Sequence, residues 1–350
     1  MYVAWRDLRF ARGRFALIGA VVALITLLVG FLSGLTGGLA AQNVSAVLAL
    51  PADRLVLHAS GDTAASFADS SIDDAAIQAW RQAPGVERVE PVGIVQTRAE
   101  GPDASAGVAV MGRAAPAAPG GDDEMTLSSG AASALGAAVG DDVTVAGSVF
   151  RVTAVGGDDW YSHTPTVTVD ADAWSGLDRR LGGDGEATVL AVQGAPDNDA
   201  VATAIGTTVT TPLGSLTALP TFRSEIGSLA LMIGLLFGIS ALVVGAFFTV
   251  WTMQRAGDIA VLKALGATTS ALARDALGQA LVVLIVGVAA GTGLTVVFGT
   301  LAGGTLPFVL GPLTTLVPGL MLIALGTAGA AVSLRVVTSS DPLTALGSTR

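Results

Sequence analysis

The sequence predicts an α-helical membrane protein with four transmembrane helices and an α+β extracytoplasmic domain inserted between helices 1 and 2. Charged residues make up only 13% of the 350-residue chain, which is about half of their share in an average soluble domain. The uncharged residues form three long runs, at 15–52, 226–254 and 276–334. The segment between the first two runs holds 24 of the 28 acidic residues.

The uncharged runs are long enough for four membrane-spanning helices. A helix needs about 20 apolar residues to cross the bilayer core, so the first two runs supply one span each, at 15–39 and 228–252. The third run is too long for one crossing, and glycines and prolines interrupt it between 303 and 312. It therefore predicts two spans, at 277–302 and 314–336, joined by a short turn outside the cell.

A cleaved signal peptide is the alternative for the first span, because arginines precede it and Gly38–Ala41 resembles a cleavage site. The apolar region of a signal peptide has about 7–15 residues, whereas this one covers 15–39. The length therefore favours a spanning helix.

The distribution of charge predicts a multi-pass protein of the cell membrane with both termini in the cytoplasm. Residues 1–14 carry four arginines against one aspartate, whereas residues 41–225 have a net charge of −15. Basic residues concentrate in short cytoplasmic loops, which assigns the loop 253–276 and the tail 337–350 to the cytoplasm. We interpret 1–14 as an amphipathic segment on the inner leaflet of the bilayer, and we expect no binding of nucleic acid.

Residues 41–225 have the pattern of a folded domain rather than that of a linker, because short β-rich segments recur and stretches with helical spacing lie between them. The predicted strands are Arg54–His58, Val86–Gln96, Gly107–Met111, Asp142–Ala146, Val149–Val155, Thr164–Val169 and Thr188–Val192. The predicted helices are Ile72–Gln82, Ala131–Leu135 and Ala171–Leu181, the first of them capped by Ser71.

The chain lacks the residues that most catalytic and metal sites require. It has no cysteine and only two histidines, His58 and His163, which excludes thiolate metal sites. Its one lysine, Lys263, lies outside the G-x-x-x-x-G-K-[ST] pattern of a phosphate-binding loop. We interpret His163 as part of a surface turn before a strand, with ligand binding as the alternative. We therefore expect no catalytic residue, no metal site and no cofactor of the chain's own.

A short amphipathic helix between the second and third spans is a candidate docking site for a soluble partner. The alternative is a helix that merely lies on the inner leaflet. Acidic residues stabilise helix N-termini, and glycine commonly ends a helix. The residues concerned are Asp258 at the start, Ile259, Leu262 and Leu265 on the apolar side, Lys263 away from it, and Gly266 at the end.

The order of one span, an external domain and three spans resembles the FtsX/MacB class of ABC-transporter permeases. Three segments carry the same resemblance: Arg255–Ala267, the closing Asp341–Leu346, and Ala134–Asp141 in the external domain. The resemblance implies a homodimeric permease that works with two copies of a separate ABC ATPase subunit, which would bind the ATP. The segment 258–265 would be the coupling helix that contacts this ATPase.

Three further stretches, Ala4–Arg12, Trp160–Pro165 and Phe222–Glu225, resemble actinobacterial permeases of the haem-exporter (HrtB) type. This narrower resemblance implies efflux of a hydrophobic substrate, with haem as the cargo. The alternatives are an FtsX-like protein that relays motion to a cell-wall hydrolase, and an exporter of a drug, a peptide or a lipoprotein.

Haem requires an apolar slot, an axial ligand and cations for its propionates. Residues near the outer ends of the first two spans could supply these groups, although membrane anchoring and packing are the alternative roles for each of them. The candidates are Gln42, Asn43, Phe222, Arg223, Glu225 and Met232.

Glycines on the first span predict close packing of helices. Gly30, Gly34 and Gly38 form two overlapping G-x-x-x-G frames, a spacing that lets helix backbones approach each other. We expect this face at the interface of the homodimer. Single frames also occur at Gly234/Gly238 and Gly287/Gly291.

Overall fold

The structure is a computed structural model that describes residues 12–59, 65–194, 199–254, 257, 261, 265–266, 268–303 and 306–338. The chain divides into two compact units. The membrane unit comprises Met1–Gly38 and Ser228–Arg350, and the inserted domain comprises Leu39–Gly227.

The described residues form eight α-helices and ten β-strands. The helices are α1 (Arg12–Leu48), α2 (Asp74–Arg81), α3 (Ser129–Leu135), α4 (Ala171–Arg180), α5 (Asp199–Ala204), α6 (Pro220–Gln254), α7 (Thr269–Ala302) and α8 (Pro312–Thr338). The strands are β1 (Arg54–His58), β2 (Val86–Glu100), β3 (Ser105–Arg113), β4 (Glu124–Leu127), β5 (Asp142–Val145), β6 (Ser148–Val155), β7 (Trp160–Tyr161), β8 (Thr164–Asp170), β9 (Val189–Gly194) and β10 (Thr207–Thr210).

Four helices, α1, α6, α7 and α8, are long and apolar enough to cross a membrane, which confirms the predicted fold class. Helix α1 continues to Leu48, beyond the predicted span 15–39, and α6 begins at Pro220, ahead of the predicted start at 228. These extra turns belong to the inserted domain, where apolar side chains such as Val47 pack into its core. Contacts with protein therefore extend both helices beyond the length that the bilayer requires.

Phe308, in the connection between α7 and α8, fills a notch between two helices. A Cβ atom on Gly34 of α1 or on Gly299 of α7 would overlap its ring. It also contacts the Phe31 ring, with 5.0 Å between the ring centroids. The amide of Val309 donates a hydrogen bond to the Gly34 carbonyl oxygen at 3.1 Å. The two glycines therefore let an irregular segment pack directly on helix backbone.

The glycine face of α1 is covered by the same chain, which corrects our assignment of Gly30, Gly34 and Gly38 to an interface between two copies. A Cβ atom on Gly30 would meet the Thr295 side chain of α7, and one on Gly38 would overlap the backbone carbonyl of Pro307. The spacing predicts close helix approach but does not say which element approaches.

The inserted domain consists of two β-layers that share the long strand β2. The first half of β2 pairs with β9 in a sheet of order β10-β1-β9-β2. Its second half pairs with β3, and the order continues through β8, β4 and β6 to β5. Strand β5 pairs back onto β2 at Ala99↔Val145. Six of the described strands therefore close into a ring.

Each β-layer has its own apolar core. The core of the ring includes Val110, Phe150 and Val167. One face of the β10-β1-β9-β2 sheet has a core around Trp80 of α2. The opposite face is covered by the C-terminal end of α1, including Val44. This last contact positions the site described below.

All the predicted strands and helices of the inserted domain correspond to observed elements, but the predicted cap of α2 is wrong. The N-cap is Asp73, whose side chain accepts the Ala76 amide hydrogen at 2.7 Å. The Ser71 hydroxyl instead donates to Asp184 at 2.6 Å. Strands β4, β7 and β10 and helix α5 were not predicted, because each is very short and has no clear periodicity.

Gly38→Ala should destabilise the protein, because the added methyl group would overlap the Pro307 carbonyl. Overpacking of this kind costs about 1–3 kcal/mol, so thermal unfolding of the detergent-solubilised chain should shift to lower temperature. Gly19→Ala is the matched control on the same helix, since a Cβ there meets nothing within 4 Å. Equal unfolding temperatures for the two variants would contradict the packing of this face.

Candidate functional site

The tip of the β7–β8 hairpin lies against the two helix segments of the inserted domain. Ser162 and His163 form its two-residue turn and have φ angles of 47° and 65°. Positive φ at both central positions is typical of a type I′ hairpin turn. Non-glycine residues adopt this backbone at a cost in free energy, and they keep it only where the surroundings fix it.

Helix α1 fixes this turn through backbone hydrogen bonds. The Ser162 amide donates to the Asn43 carbonyl oxygen at 3.0 Å, and the His163 amide donates to the Gln42 carbonyl oxygen at 2.9 Å. In β7, the strand that precedes the turn, the Trp160 amide donates to the Ser45 hydroxyl at 2.8 Å. These contacts hold the backbone of His163 in one position.

Helix α6 contacts the side chains of the same turn. The Ser162 and Thr221 hydroxyl oxygens are 3.0 Å apart, and His163 Nε2 lies 2.8 Å from Glu225 Oε2. Thr221 and Glu225 are four residues apart and therefore share one face of the helix. The hairpin tip thus links the end of α1 to the start of α6.

Asn43 completes a cluster of three polar side chains. Its Nδ2 atom lies 3.3 Å from His163 Nε2 and 3.4 Å from Glu225 Oε2. Asn43 is fully buried, and its Oδ1 atom has no hydrogen-bond partner among the described residues. The side chains of His163 and Glu225 are 31% and 27% exposed, so a ligand can approach the cluster from their side.

The side chains of the other predicted site residues are not part of this cluster. Arg223 is exposed on α6, two residues before Glu225, and Gln42 is half-buried and contributes its carbonyl oxygen. Phe222 is half-buried and packs against the core of the inserted domain. Met232 belongs to the membrane unit and is 46% exposed.

His163 is the site residue that sequence reasoning undervalued. It does lie in a turn before a strand, as interpreted, but its ring is paired with Glu225 rather than free in solvent. The two residues are 62 positions apart, and no local pattern connects them. The available signal was a histidine in a two-residue turn where glycine or asparagine is usual.

The neighbouring aromatic residue does not compete with His163 as a ligand. Burial raises the pKa of the Tyr161 phenol, and its ring packs against Phe67 with 6.2 Å between centroids. The phenol therefore stays protonated inside the core. The hairpin presents an imidazole nitrogen beside a carboxylate, and both are common ligands of transition metals.

Two other acidic residues of the inserted domain have shifted pKa values. Burial, and then repulsion from Asp158, raises the pKa of Asp159, which Arg113 opposes. The Ser71 hydrogen bond lowers the pKa of Asp184. Within the described residues, no group of three or more histidine, aspartate or glutamate side chains could hold a metal ion.

Most of the predicted docking helix lies outside the described residues, namely Asp258, Ile259, Leu262 and Lys263. The described part has a helical hydrogen bond from the Leu265 amide to the Val261 carbonyl oxygen at 3.0 Å. Gly266 follows with a φ of 95°, as glycine does after a helix. Leu265 is 80% exposed.

Two family models match the chain. The MacB-like periplasmic core domain matches residues 17–208, and the FtsX-like permease C-terminal model matches residues 230–342. A Staphylococcus haemolyticus protein named as a hemin transport system permease protein, HrtB, is 25% identical over 361 residues, which is 99% of each chain. A Staphylococcus epidermidis protein of the same name is 23% identical over 371 residues, with the same coverage.

Two solved structures are similar to part of the chain. The periplasmic region of MacB from Actinobacillus actinomycetemcomitans has a TM-score of 0.34 and 11% identity, and the match covers 45% of this chain and 88% of that one. The extracellular domain of the ABC-type transporter YknZ from Gram-positive bacteria has a TM-score of 0.34 and 12% identity, with 45% and 98% covered.

The family models cover both parts of the architecture. The periplasmic core model alone matches more than half of the chain and includes most of the inserted domain, which is therefore extracytoplasmic. The permease model matches the region of the last three spans. The chain belongs to the FtsX/MacB family of ABC-transporter permeases, multi-pass membrane proteins that work with an ATPase partner.

Proposed function

We propose that this chain is the permease subunit of an ABC exporter of haem and that it acts as a homodimer with two separate ATPase subunits. The observation that carries the proposal is the partly exposed His163–Glu225 pair, 2.8 Å apart. The relatives named for hemin transport support the choice of cargo.

The chemistry of the cluster suits haem. Imidazole nitrogen is a common axial ligand of haem iron, and carboxylate oxygen also binds iron in proteins. The exposed Arg223 can pair with a propionate, because guanidinium binds carboxylates through two parallel hydrogen bonds. Met232, farther along α6, remains a candidate from its sequence position alone.

The chain itself would catalyse no reaction and hold no cofactor. ATP would bind to the partner subunit, and the segment 258–265 would transmit its motion to the membrane helices. The termini and the loop 253–276 would face the cytoplasm, in agreement with the excess of basic residues in 1–14 and 253–276. The turn between α7 and α8 would face outward with the inserted domain.

Helix α6 offers a surface for the second copy in place of the glycine face of α1. Only 11% of its most apolar 18-residue segment is buried, against 28–39% for the corresponding segments of the other three spans. Cβ atoms on Gly234 and Gly238 would meet nothing within 4 Å. This G-x-x-x-G frame therefore has no partner within the described residues, and we place the dimer contact there.

His163→Asn and Glu225→Gln should each weaken haemin binding by at least about tenfold, because each removes an iron ligand. Asparagine tolerates the left-handed backbone, so the first variant keeps the turn. The measurement is a haemin titration of the purified full-length chain, followed by the absorbance of the Soret band. His58→Asn is the control, since it changes the other histidine. Unchanged affinity in both site variants would contradict the haem site and favour another cargo or a mechanical relay.

Leu262→Asp and Lys263→Glu should reduce co-purification of the ATPase subunit, because they change the apolar side and the basic residue of the docking segment. Val139→Asp, at an exposed position of the inserted domain, is the control and should leave the complex intact. Assembly that persists after deletion of 258–265 would show that the ATPase docks elsewhere.

Gly234→Leu combined with Gly238→Leu should reduce dimer formation, because the larger side chains prevent close approach of two α6 helices. The native chain has no cysteine, so Leu242→Cys, at a residue 72% exposed on α6, reports contact between copies through disulfide cross-linking in membranes. Gly293→Leu, an equally open glycine on α7, is the control. Cross-linking that is unaffected by the double substitution would refute this interface.

A further inference from the structure

We infer that a groove between α1 and α7 binds one acyl chain of a phospholipid from the outer leaflet of the bilayer. The groove lies within the membrane unit and has a volume of about 720 Å³. Four residues of α1 and three of α7 line it, and all seven are leucine, phenylalanine or alanine. This lipid is separate from the cargo, and its binding does not depend on what the cargo is.

The groove results from the close packing of the two helices. Gly30 of α1 lies so near α7 that a Cβ atom on it would be 2.8 Å from the Thr295 hydroxyl oxygen. Beside this contact, longer side chains form the two rims of the groove. Leu28 on the α1 rim is 53% exposed, and Leu301 on the α7 rim is 74% exposed.

The groove extends from the middle of the membrane unit towards its outer end. Helix α1 continues from its spanning segment into the inserted domain, which is extracytoplasmic, so higher residue numbers of α1 lie closer to the outside. The connection after α7 packs at this same end, because a Cβ atom on Gly38 would overlap the Pro307 carbonyl. The lining residues from Phe298 to Ala302 close α7 just before that connection. Chains of the outer leaflet can therefore enter the groove.

The lining suits a partner without charged or hydrogen-bonding groups. Among the described residues that line the groove, none has a polar side chain. Haem has propionates and an iron atom, which require cations and a ligand, and a peptide has backbone groups that need polar partners in the bilayer. A hydrocarbon chain requires neither. Basic residues recognise lipid head groups, so we expect this groove to recognise the chain and not the head group.

The shape of the groove favours a hydrocarbon chain over a helix of a second copy. The two helices that form it touch at the glycine contact, so its floor lies in a narrow crevice. A helix with its side chains is about 10–12 Å across and would rest on the rims at Leu28 and Leu301. A thinner chain can contact Leu27 and Phe31, which are half-buried between the rims.

A chain in this groove contacts both helices at once. Phe31, in its lining, also contacts the ring of Phe308, which fills the notch formed by Gly34 and Gly299. Helices in a membrane are held together mainly by van der Waals packing, because lipid is as apolar as their side chains. We therefore expect the bound phospholipid to stabilise the pairing of α1 with α7.

Larger side chains that fill the groove test this assignment. Leu28→Trp combined with Leu301→Trp fills it, and Leu17→Trp is the matched control, since Leu17 is 68% exposed on α1 but does not line the groove. The purified full-length chain in detergent is mixed with dipalmitoyl phosphatidylglycerol and measured by native mass spectrometry and by thermal unfolding. We expect the wild type and the control to retain one phospholipid per chain and to unfold at a higher temperature with it. The double variant should lose both effects.

Two further lipids show, on the wild-type chain, which part of the phospholipid is recognised. Dipalmitoyl phosphatidylcholine has the same chains and another head group, and it should be retained equally well. Dihexanoyl phosphatidylglycerol has the same head group and short chains, and it should not be retained. Retention that follows the head group instead of the chains overturns the inference.

Other occupants of the groove give different results, and each of these overturns the inference. Retention of the phospholipid by the double variant places the lipid elsewhere. The native chain has no cysteine, so disulfide cross-linking between copies that is stronger for Leu28→Cys than for Leu17→Cys would assign the groove to a second copy. Displacement of the phospholipid by haemin would assign it to the cargo. The haem site proposed at His163 and Glu225 is tested separately, by its own titration.

Discussion

The site depends on two backbone hydrogen bonds, from the Ser162–His163 turn to the carbonyl oxygens of Asn43 and Gln42 in α1. The left-handed conformation of this turn is unfavourable for residues with a Cβ, and these bonds hold it in place. They aim the imidazole at Glu225 on α6. Without them, three residues that are far apart in the sequence would not form a cluster.

A related constraint governs the membrane unit. Backbone polar groups in the bilayer need internal partners, so an irregular segment between two spans must lie against protein. The connection between α7 and α8 meets this requirement on α1, where Gly34 and Gly38 lack the side chains that would keep it away. The same glycines are therefore unavailable to a second copy, and for this reason we propose the open frame on α6 as the dimer contact instead.

The sequence was sufficient for features that depend on local composition. Length and absence of charge define four spans, and alternation of apolar residues identifies the main strands, because both properties lie in consecutive residues. The observed helices are longer than the predicted spans, since α1 and α6 gain contacts with the inserted domain that hydropathy cannot show. The sequence predicts Ser71 as the N-cap of α2, but the observed cap is Asp73. The Ser71 hydroxyl instead donates to Asp184, which is distant in sequence.

The candidate site was less accessible to prediction. Helical spacing places Phe222 and Glu225 on one face of α6, but it does not reveal that Phe222 packs against the domain core while Glu225 pairs with His163. In the same way, G-x-x-x-G spacing predicts close approach on α1 without identifying Phe308 as the neighbour. His163 could be placed in a turn, but its partner is supplied by the tertiary fold alone.

The shared strand β2 has a consequence for how the inserted domain responds to stress. Its 15 residues extend over about 50 Å and contribute hydrogen bonds to both the open sheet and the closed ring. Neither layer can lose β2 without exposing the core of the other. We therefore expect the two layers to unfold together, so that damage to the open sheet reaches the ring, whose strand β8 carries the hairpin site.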